Sequence, residues 1–80
     1  MLKTVADITN KIPENLKNLR EDADLTQLQL CKKLEKYGCF MHRSTYAKYE
    51  TGQRQASLEA LVAISQFFGV SIDYLFYGNN

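Results

Sequence analysis

Apolar residues recur along most of this chain at intervals of three and four, the period of a helix that buries one face. Leu2, Val5, Ile8 and Ile12 follow that spacing, but β-branched and polar residues fill the positions between them. Residues 1–12 are therefore read as an N-terminal arm or a short extra helix packed back on the body. Pro13 and Glu14 mark a helix start, because proline suits the first helical position and an acid there meets the positive end of the dipole. The spacing predicts a helix from Pro13 to Ala23, with Leu16, Leu19 and Ala23 facing inward. Thr26-Gln27-Leu28-Gln29 forms a capping box. It opens a second helix to Tyr37, with Leu30, Cys31, Leu34 and Tyr37 as the inner stripe and Gly38 as the stop. Leu28 falls off that stripe and is expected to meet the arm.

After the connection Cys39-Phe40-Met41-His42, Arg43 to Thr51 predicts a short third helix, with Tyr46, Tyr49 and Glu50 inward and Gly52 as its end. Gln53 to Ala56 is a polar link. Ser57 caps a fourth helix with the stripe Leu58, Leu61, Ile64 and Phe68 and the stop Gly69. Ser71 caps a fifth, with Ile72, Leu75 and Phe76 inward and Gly78 closing it. Five short helices without strand-like alternation predict an all-α bundle over residues 13–78. A chain of 80 residues is one small domain and buries only about 60% of its unfolded surface, so pairing with a second copy or a partner would add stability.

The net charge of +1 conceals a gradient. Met1 to Leu25 sums to −1, Thr26 to Arg54 to +4, and Gln55 to Asn80 to −2. The basic middle carries Lys32, Lys33, Lys36, Arg43, Lys48 and Arg54. A polyanion senses such a local face more than the total charge. The competing interpretation is an ordinary solvated surface, and charge alone does not decide between them.

The third helix adds the deciding division. Ser44 and Lys48 share a face one turn apart, with Arg43 and Ala47 beside them, while Tyr46, Tyr49 and Glu50 lie on other faces. A helix that enters the major groove needs this arrangement: small residues near the base edges, Arg and Lys for guanine acceptors, Ser and Thr for either bonding sense. Ser44 and Thr45 serve equally well as helix-start residues. Free amides at the start of the second helix suit a phosphate, and Gln27 adds a side-chain bond. Thr51, Gln53 and Arg54 follow the third helix and are candidates for neighbouring phosphates.

The stretch LKNLREDADLTQLQLCKKLEKYG followed by RSTYAKYETGQRQASLEALVAISQFFGVSIDYLFYG resembles the Cro/lambda-repressor-like (XRE) helix-turn-helix family. The likeness runs from Ile12 to Gly78. Its landmarks are Leu25-Thr26-Gln27, Arg43-Ser44-Thr45, Lys48-Tyr49-Glu50-Thr51-Gly52, Ser57-Leu58 and Gly69 to Leu75. The resemblance implies a five-helix DNA-binding fold with Arg43 to Thr51 as recognition helix and Gln27 at a phosphate or near the first bases. It also implies a structural ion pair between Arg20 and Glu50. That pair would account for an acid on a helix that faces DNA, where an unpaired carboxylate repels phosphate. Two features depart from the family pattern. Cys39-Phe40-Met41-His42 lengthens the turn by about two residues beyond the usual three or four, and His42 stands where a Ser or Thr cap is usual. Tyr46 replaces a smaller aliphatic residue, and its hydroxyl needs a partner if buried.

Five of the nine aromatic residues lie in the last fourteen positions. Phe68 and Phe76 have core spacing, whereas Phe67, Tyr74 and Tyr77 cannot all face inward. They suggest a homodimer patch on the fourth and fifth helices, although scattered surface aromatics are normal. A symmetric dimer would set two recognition helices about 34 Å apart and read a near-palindrome in double-stranded DNA.

The function expected is sequence-specific DNA binding by a transcriptional regulator, a repressor before an activator, acting by operator occupancy. The alternative is an antitoxin or another protein-interaction module on the same fold. Enzyme activity is not expected: Cys31, Cys39 and His42 are the only nucleophile and base candidates, without paired acids or a group to orient the histidine. No cofactor is expected, and no metal, since those three residues fall short of the four tightly spaced ligands of a zinc site. Cys31 fits the core, while Cys39 is expected to be looser, more exposed and first to oxidise. No apolar run approaches the ~20 residues of a membrane span, and a secretory leader is not expected. A cytoplasmic location is therefore expected.

Overall fold

The computed structural model describes residues 4, 5, 7 and 11–78. Helices are the only regular secondary structure among them: α1 (Ile12–Asp22), α2 (Gln27–Leu34), α3 (Arg43–Thr51), α4 (Leu58–Phe68) and α5 (Ile72–Tyr77). Of the stripe expected in the arm, Leu2 and Ile8 lie outside the described residues. Val5 is exposed, and Ile12 is buried as the first residue of α1.

Local chemistry sets most of the boundaries. Pro13 sits in the first turn of α1, as its missing N–H allows. The helix closes through Asp24 at φ 57°, a left-handed conformation that Asp tolerates better than most residues. The amides of Asp24 and Leu25 return to the carbonyls of Glu21 and Arg20 at 3.0 and 3.1 Å, the paired bonds of a Schellman ending. Ala23 therefore lies beyond the helix and is exposed. Thr26 and Gln29 make both bonds of the capping box at the start of α2, 3.1 and 2.9 Å long.

The second helix is shorter than its pattern predicts. At Glu35 the coil tightens into a 3-10 turn through Tyr37, closed by Gly38 at φ 79°. Tightening rotates Tyr37 off the inner stripe, and its ring is 45% exposed. The Cys39 amide then bonds the Leu34 carbonyl at 3.3 Å and draws Cys39 into the core, where it is 7% exposed. The expectation of an exposed, oxidation-prone Cys39 is thus corrected. Both cysteines are free and buried, and burial pushes both thiols above their usual range, away from the reactive thiolate.

Ser57 and Ser71 cap α4 and α5, each accepting a backbone amide at 3.1 Å. Leu58, expected inside, is the first residue of α4 and is 73% exposed. Its helix turns inward from Ala60 on, burying Ala60, Leu61, Ala63, Ile64 and Ser65. The core gathers Leu16, Leu30, Leu34, Tyr46, Ile64 and Leu75, all fully buried. α1 packs on α3 and α5, and α3 also packs on α2. Asn15 of α1 donates to the Leu75 carbonyl at 2.9 Å, fastening the last helix to the first. The bundle thereby holds α3 between α1 and α2, with Arg43, Ser44, Lys48 and Thr51 exposed on its outer flank.

Candidate nucleic-acid interface

Two tyrosines root α3 in the core. Tyr46 and Tyr49 are buried and meet edge to face at 6.3 Å between ring centroids. Arg43, Ser44, Lys48 and Thr51 emerge exposed on the other side, with Thr45 and Ala47 half-buried at its margins. At the end of the helix, Thr51 Oγ1 and the Arg54 amide both bond the Lys48 carbonyl at 3.3 Å. The link carrying exposed Gln53 and Arg54 is thus folded against the end of α3.

A chain of polar contacts fixes the orientation of α3. Arg20 Nε and Nη2 donate to the two Glu50 carboxylate oxygens at 2.7 and 3.0 Å, and Nη1 donates to the Leu25 carbonyl at 2.8 Å. Gln27 Nε2 donates to Glu50 Oε1 at 3.1 Å. Gln27 Oε1 in turn accepts from Arg43 Nη1 at 3.0 Å. One guanidinium thus joins α1, the α1–α2 turn and α3, and one amide passes the connection from Glu50 to Arg43. Bidentate Arg–carboxylate geometry fixes direction as well as distance. Burial alone would raise the Glu50 carboxyl, but Arg20, the adjacent Tyr46 hydroxyl and Gln27 together prevail and hold it below the ordinary carboxylate range. The same bond to Glu50 raises the Arg20 guanidinium.

Tyr46 lacks the partner that a buried hydroxyl calls for: its oxygen is buried without a hydrogen bond. It lies beside Glu50, and burial together with that carboxylate drives its ionisation far above the usual phenol range. Glu50 Oε1 accepts from both Arg20 and Gln27, whereas Oε2 accepts from Arg20 alone and keeps a free lone pair.

A helix-turn-helix family model matches residues 16–75, spanning α1 through most of α5. The chain belongs to the XRE-type helix-turn-helix family of DNA-binding transcriptional regulators. Among curated proteins, the helix-turn-helix domain is 38% identical over 65 residues to "HTH-type transcriptional activator BcrR" of Enterococcus faecalis, covering 81% of this chain and 29% of that protein. It is 37% identical over 67 residues to "Uncharacterized HTH-type transcriptional regulator YqaE" of Bacillus subtilis (strain 168), covering 84% of this chain and 53% of that one. The chain thus spans under a third of the first relative and about half of the second. No solved structure gives a significant match.

Within this helix-turn-helix domain, the residues singled out from sequence fall into separate groups. Gln27 and Arg43 are joined, and Ser44, Lys48 and Thr51 share the exposed flank with Arg43. Phe67, Tyr74 and Tyr77 make no ring contact with one another among the described residues. Phe67 packs half-buried against Phe68 and Tyr37, with centroids at 4.9 and 6.5 Å, and Tyr77 lies beside Phe76 at 6.4 Å. Sequence reasoning missed two features. Asn15 carries no signal in a hydrophobic pattern. Phe40 does carry one, an aromatic residue in the turn between Gly38 and Arg43, and it is 74% exposed. Among the described residues no helix is long and apolar enough to cross a membrane.

Proposed function

We propose that this protein binds double-stranded DNA sequence-specifically and regulates transcription by occupying an operator. The observation that carries the reading is the exposed Arg43–Ser44–Lys48 flank of a helix rooted by Tyr46 and Tyr49. Arg43, Ser44, Thr45 and Lys48 address base edges, while Gln27, Thr51, Gln53 and Arg54 take phosphates at either end of α3. Residues 12–78 form the DNA-binding unit, and the protein acts in the cytoplasm. Occupancy over a promoter represses. Occupancy beside one serves activation, the role in the name of the E. faecalis relative.

The DNA-bound form is a homodimer on a near-palindrome, joined through the α4–α5 surface that includes Phe67, Tyr74 and Tyr77. The 44% exposure of Tyr77 supports that choice of surface. The test is selection of preferred duplexes from a random pool, followed by titration at several salt concentrations. Affinity for the selected site falls steeply with salt, and Lys48→Ala brings the affinities for selected and random duplexes closer by about tenfold, the lower range of one base contact. Equal binding of every duplex overturns the reading. A second protein retained on α4–α5 without DNA would favour the protein-interaction alternative.

A further inference from the structure

We propose that the groove between the start of α2 and the long α2–α3 turn receives the 5-methyl group of a thymine, with Phe40 and Leu28 as its apolar contacts. The inference rests on the DNA-binding reading and adds a specificity determinant to it. Phe40 is 74% exposed and Leu28 54%. Single exposed apolar residues are ordinary, but these two line one open groove of about 400 Å³ together with Met41, Lys32, Glu35 and Arg43.

The chain itself holds Phe40 outward. Cys39 is buried and Met41 is half-buried against the core. Phe40 stands between these two inward residues and is itself turned out to solvent. The lengthened turn therefore presents a large apolar group just ahead of the first residue of α3 and leaves it without cover.

Position and charge identify the occupant. Arg43 both lines the groove and bonds Gln27, so the groove is continuous with the proposed DNA-reading flank. Lys32 and Arg43 flank it, with Glu35 the only acid among its lining residues, a balance that favours a polyanion over an acidic-rimmed partner. In the major groove, the thymine 5-methyl is the apolar group that a base pair offers, and a phenyl ring is among the side chains that contact it.

The experiment uses the full chain, the selected duplex and a random duplex. Each thymine of the selected site is replaced in turn by deoxyuridine, which removes only the methyl. At one position or its symmetry mate, wild-type affinity drops about fourfold, the value of one buried methyl-sized group. Phe40→Ala binds thymine and uracil duplexes equally while keeping the salt dependence of the wild type. Leu28→Ala narrows the difference in the same way, and far-ultraviolet circular dichroism verifies that each variant is folded. If wild type binds thymine and uracil duplexes equally at every position yet still prefers the selected site over random DNA, the thymine contact is wrong and the DNA-binding reading stands. If it prefers no duplex, both fail. If Phe40→Ala abolishes self-association and leaves the thymine–uracil difference intact, a second copy fills the groove and the inference is overturned.

Discussion

Gln27 Oε1 accepts from Arg43 Nη1 at 3.0 Å while Gln27 Nε2 donates to Glu50 at 3.1 Å. A residue expected to reach for a phosphate thus also restrains the first cation of α3. A long arginine side chain loses up to about 2 kcal/mol of rotamer freedom when fixed, and a restraint already present in the free protein lowers that cost on binding. Gln27→Ala is therefore expected to reduce affinity for the preferred duplex by about threefold to tenfold and to narrow its advantage over random DNA. A contact to phosphate alone would weaken all duplexes alike. Parallel titrations of selected and random duplexes separate the two outcomes.

Arg20 and Glu50 carry the fold's principal buried charges, with side chains 12% and 3% exposed. Removing one partner leaves the other charged and without its match. Arg20→Ala is expected to cost about 3–5 kcal/mol, a large share of what a small domain possesses, measurable by urea unfolding. The acid dependence has a definite sign. Because the folded Glu50 carboxyl is held below its unfolded value, its stabilising contribution is complete above about pH 4.3 and is lost as pH falls through the lowered folded value. Thermal unfolding between pH 7 and pH 2 should show this loss. Glu50→Gln should be less stable at pH 7 and lose less on acidification.

The Tyr46 hydroxyl is buried without a hydrogen bond, and such a group costs about 1–3 kcal/mol. Tyr46→Phe keeps the ring, its packing on Tyr49 and the core volume, and removes only the oxygen. It is expected to stabilise the domain by about 1 kcal/mol, raising the melting temperature by roughly 4–8 °C. A loss of stability would mean that the hydroxyl is bonded to Glu50 in solution.

The capping residues Thr26, Ser57 and Ser71 were legible in sequence because their chemistry is local: a side-chain oxygen meets an amide three residues ahead. The inner stripes were legible in the helix interiors. They failed at helix ends: at Ala23, beyond the last turn of α1, at Tyr37, where the coil tightens, and at Leu58, where the first helical position lies outside the packed face. Cys39 was misplaced because its burial depends on a return to the Leu34 carbonyl, which no periodicity encodes. The division of α3 was visible from residue spacing. The relay through Gln27 was not, since it joins side chains whose meeting depends on how three helices cross.

His42 precedes α3 in the same backbone conformation that the true caps adopt. Its φ and ψ of −72° and 148° compare with −75° and 164° at Thr26, −67° and 158° at Ser57, and −74° and 160° at Ser71. Yet the imidazole makes no capping bond, and the Thr45 and Tyr46 amides both turn to the His42 carbonyl, at 3.0 and 3.1 Å. The backbone is ready for a hydroxyl that the side chain does not supply. His42→Ser is expected to place that oxygen on the Thr45 amide and to stabilise the domain by about 1 kcal/mol, the usual value of a cap. His42→Ala, with the same loss of imidazole but no acceptor, should give no such gain. Denaturant melts of the two variants check the difference, and equal midpoints would show that the start of α3 is already satisfied by other groups.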